Sequence, residues 1–164
     1  MTLPKNVLFL CTGNSARSIL AEAALNQLGA GRFRAYSAGS CPTGAPNPFA
    51  LALLAREGID TGFARSKSWD EFALPAAPKM DFIFTVCDSA AAEACPYWPG
   101  HPASAHWGQL DPAAVTGGDA EKTRAFDAAW QLLTRRITAY AALPINDMDA
   151  QALKRALQEI GMMT

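Results

Sequence analysis

From Val7 the chain runs apolar without a break to Cys11, in the segment Asn6–Cys11, NVLFLC. A strand with continuous rather than alternating apolar residues is buried on both faces, as in a parallel sheet. Asp81–Cys87, DFIFTVC, repeats the pattern, and Arg34–Ala38 and Ala103–Trp107 are two shorter strands by the same reading. Between these runs the apolar period lengthens. Across Ser15–Leu28, Ile19 and Ala23 form one row and Leu20, Ala24 and Leu28 another, which predicts a helix stopped by Gly29. Asn47 and Pro48 supply an N-cap and a first-turn proline for a helix over Phe49–Glu57, ended by Gly58. Phe126, Trp130, Leu133, Ile137 and Tyr140 alternate by four and three, so the long segment Glu121–Leu143 reads as a helix with one buried stripe, stopped by Pro144. A last helix is predicted near Asp149–Ile160.

Strand–helix alternation implies an α/β fold: a three-layer sandwich with a four-stranded parallel sheet and helices on both faces. The 164 residues suit one domain, 1–164. In such sheets ligands bind outside the carboxyl ends of the strands. Cys11 and Cys87 each end a predicted strand, so two separate strands deliver a cysteine to one edge.

The stretch Cys11-Thr12-Gly13-Asn14-Ser15-Ala16-Arg17-Ser18 follows a strand and opens a helix. A loop of this length can curl with its backbone N–H groups inward, forming an anion nest, and the helix adds its positive end. Gly13 and Asn14 tolerate the left-handed backbone that such a curl requires. Arg17 can fork two hydrogen bonds onto a tetrahedral oxyanion. The same field should lower the pKa of Cys11 and make it a thiolate nucleophile, with Ser18 as a further donor.

Charge narrows the partners. Lys and Arg number 14 against 15 Asp and Glu, for a net charge of −1, which excludes the basic excess of a nucleic-acid binder. An anion site must then be local. No apolar run approaches the roughly 20 residues of a membrane span, and Met1–Asn6 lacks a secretion pattern, so no membrane contact and a cytoplasmic location are expected. Four cysteines in such a setting are more often reactive than stapled, and no Cys-x-x-Cys pair suggests structural zinc.

VLFLCTGNSARS resembles the phosphate loop of low-molecular-weight protein tyrosine phosphatases and of the arsenate reductases that share their fold. The resemblance extends through Tyr36-Ser37-Ala38-Gly39, Asn47-Pro48, Gly58-Ile59-Asp60, Thr85-Val86-Cys87-Asp88, Cys95-Pro96 and His106-Trp107-Gly108 to Asp111-Pro112. It implies the phosphatase-like sandwich, a catalytic set of Cys11, Arg17 and Asp111, and oxyanion binding by residues 12–18. Asp111 resembles the general acid; read alone, Asp-Pro also starts turns.

The later cysteines separate two enzymes. A phosphatase needs no further thiol, because water hydrolyses its phosphocysteine. A reductase needs two electrons per turnover, and Cys87 and Cys95 lie where the arsenate reductase branch carries redox cysteines. The resemblance thus implies arsenate reduction by a disulfide relay, Cys11 to Cys87 to Cys95, reset by thioredoxin or another thiol reductant. A tyrosine phosphatase is the rival reading, and a catalytically silent oxyanion-binding module a third. A helical 88–94 would set Cys87 and Cys95 about 12 Å apart, too far for a disulfide, so the segment must loop or unwind. Cys41, in the loop SCPTGAPNP, reads as a bystander. Some reductases of the family bind potassium behind the loop. Asn14, Glu22 and Ser37, with Asp70 as a fourth, resemble those ligands; the same groups also read as hydrogen bonds bracing the loop.

Overall fold

The apolar runs form a sheet whose two sides separate by residue parity. In the computed structural model, which describes residues 3–88 and 102–164, strands β1 (Lys5–Cys11), β2 (Phe33–Gly39), β3 (Phe82–Thr85) and β4 (Ala103–His106) pair in parallel in the order β2-β1-β3-β4. Val7, Phe9 and Cys11 join one core cluster; Leu8 and Leu10, at the alternate positions, join the other. Central β1 is therefore buried on both faces, the arrangement its continuous apolar sequence requires.

Helices α1 (Arg17–Leu28), α2 (Pro48–Arg56), α3 (Asp119–Ala141) and α4 (Ala150–Gly161) contribute to the first core. Among the described residues the second face is covered by a 3-10 turn, Trp69–Phe72, whose Trp69 and Phe72 pack with Met80 and Ile83 on Leu8 and Leu10. That turn lies in a stretch with no regular apolar period, so its sequence predicted no element. No helix among the described residues is long and apolar enough to cross a membrane.

Helix ends follow local chemistry. Asn47 Oδ1 accepts the Phe49 N–H at 2.8 Å and Pro48 occupies the first turn of α2. Asp149 Oδ1 accepts the Ala152 N–H at 2.7 Å and starts α4. Helix α3 starts two residues earlier than its periodicity suggested, with Glu121 Oε2 folded back to accept the Gly118 N–H at 2.9 Å. Its last carbonyl, at Ala141, and that of Leu143 just beyond the helix accept from the Arg32 guanidinium.

Two boundaries shape the functional edge. The ladder of β3 stops at Thr85, short of Cys87, so Cys87 leaves the sheet and turns toward the loop after β1. Register sets Cys11 opposite Gly39. A Cβ on Gly39 would lie 2.4 Å from the Thr12 carbonyl oxygen and 2.8 Å from that of Cys11, so only glycine lets the end of β2 come this close.

Candidate active site

The loop between Cys11 and Arg17 is fastened from outside by its carbonyls. Thr12 O accepts from Cys41 N at 2.9 Å, Ser15 O from Asn47 N at 2.8 Å, and Gly13 O from Thr43 N and Ser66 Oγ, each at 3.0 Å. Carbonyls held outward leave the opposite side of the peptide planes for an anion. Asn14 carries the one left-handed non-glycine backbone among the described residues, φ 46°. Its buried side chain is the hub behind the loop. Nδ2 donates to Ser18 Oγ at 2.8 Å and Ser37 Oγ at 3.0 Å, and Oδ1 accepts from Lys67 N at 2.9 Å. Gly13 is not left-handed; its small size accommodates Thr43, whose Cγ2 would sit 3.1 Å from an added Cβ. No side chain caps α1 at Ala16.

Arg17 spans from this loop to the one that follows β4. Its Nη1 donates to Gln109 O at 2.8 Å and its Nη2 lies 3.6 Å from Asp111 Oδ2. Among the described residues, its buried Nε has no hydrogen-bond partner. The Nε–Nη2 edge is thus the one available to fork onto an oxyanion. Asp111, half exposed, also accepts the Ala113 N–H at 3.0 Å and caps the short 3-10 turn Pro112–Ala114. The turn reading of Asp-Pro therefore holds, in a place where the carboxylate still reaches Arg17. Arg17, Cys87, Asp88, Gly108, Gln109, Leu110 and Asp111 line an open cleft of about 500 Å³.

Cys11 and Cys87, 76 residues apart in sequence, are hydrogen-bonded neighbours, both buried. Thr12 N–H donates to Cys87 Sγ at 3.3 Å, and Thr12 Oγ1 lies 3.6 Å from the same sulfur. The bond to Cys87 pushes the Cys11 pKa up; burial and the Cys87 charge add to this, while Arg17 and the Gly13 N–H pull it down. The direction is opposite to the lowered pKa expected from the helix field and Arg17 alone. Two thiols in contact titrate as a unit. Cys87 Sγ, for its part, accepts from the loop N–H of Thr12. The sequence placed Cys87 at the same sheet edge but not in hydrogen-bonding contact with Cys11.

The oxygens read as candidate potassium ligands meet an internal cation. Ser37 Oγ donates to Glu22 Oε1 at 2.5 Å, and Lys67 Nζ lies 4.0 Å from that oxygen and 3.5 Å from Ser37 Oγ. Asp70 is exposed on the 3-10 turn, apart from this group. Burial pushes the Glu22 pKa up and the Lys67 pKa down, each opposed by the charge of the other. With an ammonium already among them, Asn14, Glu22 and Ser37 do not form an open cage for a potassium ion.

Cys95 lies outside the described residues. Cys41 is exposed, on the outer loop that braces Thr12. The sequence gave His106 no partner; in the structure its Nδ1 lies 2.7 Å from Thr85 Oγ1 and its Nε2 2.8 Å from Asp88 Oδ1, next to Cys87. Lys67, Gln109 and Arg136 were missed altogether. Of these, Arg136 had a signal, because it stands three residues after Leu133 and four before Tyr140 on the buried stripe of α3.

Comparison with known proteins fits this geometry. The sequence model of low molecular weight phosphotyrosine protein phosphatases matches residues 6–158. An arsenate reductase of Halalkalibacterium halodurans is 36% identical over 137 residues, which are 84% of this chain and 95% of that protein. One of Bacillus subtilis has the same identity and coverage. The crystal structure of an arsenate reductase from Archaeoglobus fulgidus superimposes with a TM-score of 0.66 at 26% identity, over 84% of this chain and 99% of that one.

Proposed function

The chain belongs to the low molecular weight phosphotyrosine protein phosphatase family, and from that premise we propose that it reduces arsenate to arsenite with electrons from cysteine thiols. The observation that carries this reading is the Cys11–Cys87 pair. Phosphate ester hydrolysis needs no second sulfur beside its nucleophile, whereas an intramolecular thiol relay requires one there. Relatives at 36% identity named as arsenate reductases support the same choice.

The contacts of Cys11, Cys87, Arg17 and Asp111 support the following steps, and the Cys95 step rests on the family resemblance. An oxyanion enters against the inward side of residues 12–16 and the Nε–Nη2 edge of Arg17. Cys11 gives up its proton to solvent as Arg17 and the Gly13 N–H stabilise the charge, and the Cys11 thiolate attacks arsenic. Asp111 protonates the departing oxygen, which leaves as water, and a Cys11–arsenic bond remains. Cys87, after losing its proton to solvent, attacks Cys11 Sγ. The sulfur–arsenic bond breaks, its electron pair stays on arsenic, and arsenite leaves behind a Cys11–Cys87 disulfide. Cys95 then attacks Cys87 and frees the Cys11 thiolate. A dithiol protein of the thioredoxin class supplies the two electrons and two protons that reopen Cys87–Cys95. Behind the loop, Lys67 supplies the positive charge beside Glu22 and Ser37.

Two variants test the relay. Cys87→Ser should abolish thiol-coupled arsenate reduction while sparing aryl phosphate hydrolysis, which needs only Cys11, Arg17 and Asp111. Cys95→Ser should stop with Cys11 joined to Cys87, detectable by mass spectrometry after one equivalent of arsenate. A Cys87→Ser enzyme that reduces arsenate at the parent rate would leave the phosphatase, or direct attack of an external thiol on Cys11, as the better account.

A further inference from the structure

Arg136 lies on the sheet-facing stripe of α3, only 3% exposed, where an apolar side chain would be the ordinary occupant. Among the described residues it has no carboxylate partner. Its guanidinium is spent on backbone carbonyls: Nη1 donates to Trp107 O at 2.9 Å and Gly108 O at 3.1 Å, and Nη2 to Gly161 O at 2.9 Å and Met163 O at 2.8 Å. The next carbonyl along the chain, Gln109 O, accepts from Arg17. Three successive carbonyls, 107 to 109, are thus held by two guanidinium groups that arrive from different helices. Two residues further on stands Asp111.

The other side of this segment is equally constrained. Trp107 stacks on Phe84 with ring centroids 3.9 Å apart, and its Nε1 donates to Leu157 O at 2.9 Å. A Cβ on Gly161 would meet His106 O at 2.6 Å. The packing around Trp107 alone would fix the indole. It would not fix the peptide planes of Trp107 and Gly108, whose carbonyls point to Arg136. Burying a cation against dipoles alone is unfavourable, so a residue serving only to fill this stripe gains nothing from the charge.

We infer that Arg136 is a positioning residue for the reaction: by holding the carbonyls of Trp107 and Gly108 it sets the Gln109 carbonyl that orients Arg17 and the height of Asp111 above the oxyanion loop. The inference rests on the reading of Arg17 as the oxyanion fork and Asp111 as the acid. It also makes the end of α4 part of the support of the site, since Gly161 and Met163 share the same guanidinium.

Arg136→Lys retains the charge but cannot reach four carbonyls from one planar group. Displacing an acid by about an ångström costs up to roughly a hundredfold in rate, so kcat for aryl phosphate hydrolysis by the full chain should fall about tenfold to a hundredfold. The decisive measurement repeats the change in an Asp111→Asn background. If Arg136 acts through Asp111, the further loss there should be under about threefold, whereas a general loosening of the fold would multiply through unchanged. Affinity for inorganic phosphate, titrated in the parent and in an Arg17→Lys background, reads the second branch: Arg136→Lys should weaken binding only where Arg17 is intact. Should the lysine variant not fold, Arg136→Met removes the buried charge while filling the stripe, and the same two cycles apply. A folded variant with kcat and phosphate affinity both within about twofold of the parent, or with losses that multiply fully in both backgrounds, overturns the inference. A parent chain that turns over neither arsenate nor aryl phosphate would overturn the proposed function instead, and the phosphate titrations would still decide the role of Arg136.

Discussion

Replacing Asn14 by glycine removes the three side-chain hydrogen bonds that hold the anion loop to Ser18, Ser37 and Lys67. Each contributes about 1 kcal/mol net, and the buried Lys67 N–H is left with no acceptor, so the loss should be about 3–4 kcal/mol. For a chain of this length that lowers the melting midpoint by roughly 10 °C. Alanine at the same position loses the same bonds and must also adopt φ 46°, a left-handed backbone that costs a side-chain-bearing residue roughly 1 kcal/mol more. Asn14→Ala should therefore be less stable than Asn14→Gly, the reverse of the order at most positions. Urea unfolding with an unchanged m-value measures both. The added stability conferred by saturating phosphate should shrink in either variant, because the loop that binds it is no longer held in shape. A loss under about 1 kcal/mol for Asn14→Gly, or an alanine variant as stable as the glycine one, would refute the hub reasoning.

The buried Glu22–Lys67 pair leads to a double-mutant test. Lys67→Met alone strands the carboxylate and should cost about 3 kcal/mol, most of which Glu22→Gln/Lys67→Met should recover, as denaturant midpoints would show. In the single variant Glu22, already pushed up by burial, loses its opposing cation, so the folded state keeps a proton that the unfolded state has released. Its deficit should then grow as pH rises through and above the ordinary carboxylate range and shrink on acidification; a pH-independent deficit would contradict this. Cys87→Ala removes the first cause holding the Cys11 proton and leaves Arg17 and the Gly13 N–H, so the pH midpoint of Cys11 alkylation should fall. An unchanged or higher midpoint, read by peptide mass mapping against exposed Cys41, would show that the sulfurs do not titrate together.

What the sequence disclosed followed period and locality. Continuous apolar runs marked the strands, Asn47-Pro48 marked a helix start, and Cys11 to Arg17 marked an anion nest because every part of it is adjacent in the chain. Gly13 and Asn14 were both read as able to take a left-handed backbone; that Asn14 is the one that does follows its side-chain bonds, which no local rule reports. Lys67 was hidden for a related reason. It lies in a stretch without period, and its role exists only because Glu22, from α1, and Ser37, from β2, converge on it. The upward push on the Cys11 pKa was missed because its largest cause, the hydrogen bond to Cys87, is a contact between distant segments. Arg136 was legible in its spacing and passed over because a charge on a buried stripe contradicts the pattern that defines the stripe.

The outward bonds of Thr12, Gly13 and Ser15, together with the approach of Gly39, have a thermodynamic consequence. An anion that enters this loop finds donors whose conformational freedom was surrendered when the chain folded, so binding should carry little ordering penalty. It also covers little apolar surface, which keeps the heat-capacity change of binding small. Oxyanion affinity should then vary gently with temperature and be governed by the exchange of water for backbone N–H groups. Discrimination between arsenate and phosphate, ions of the same shape and charge, would gain little at the binding stage; it would arise afterwards, when arsenic accepts an electron pair that phosphorus does not.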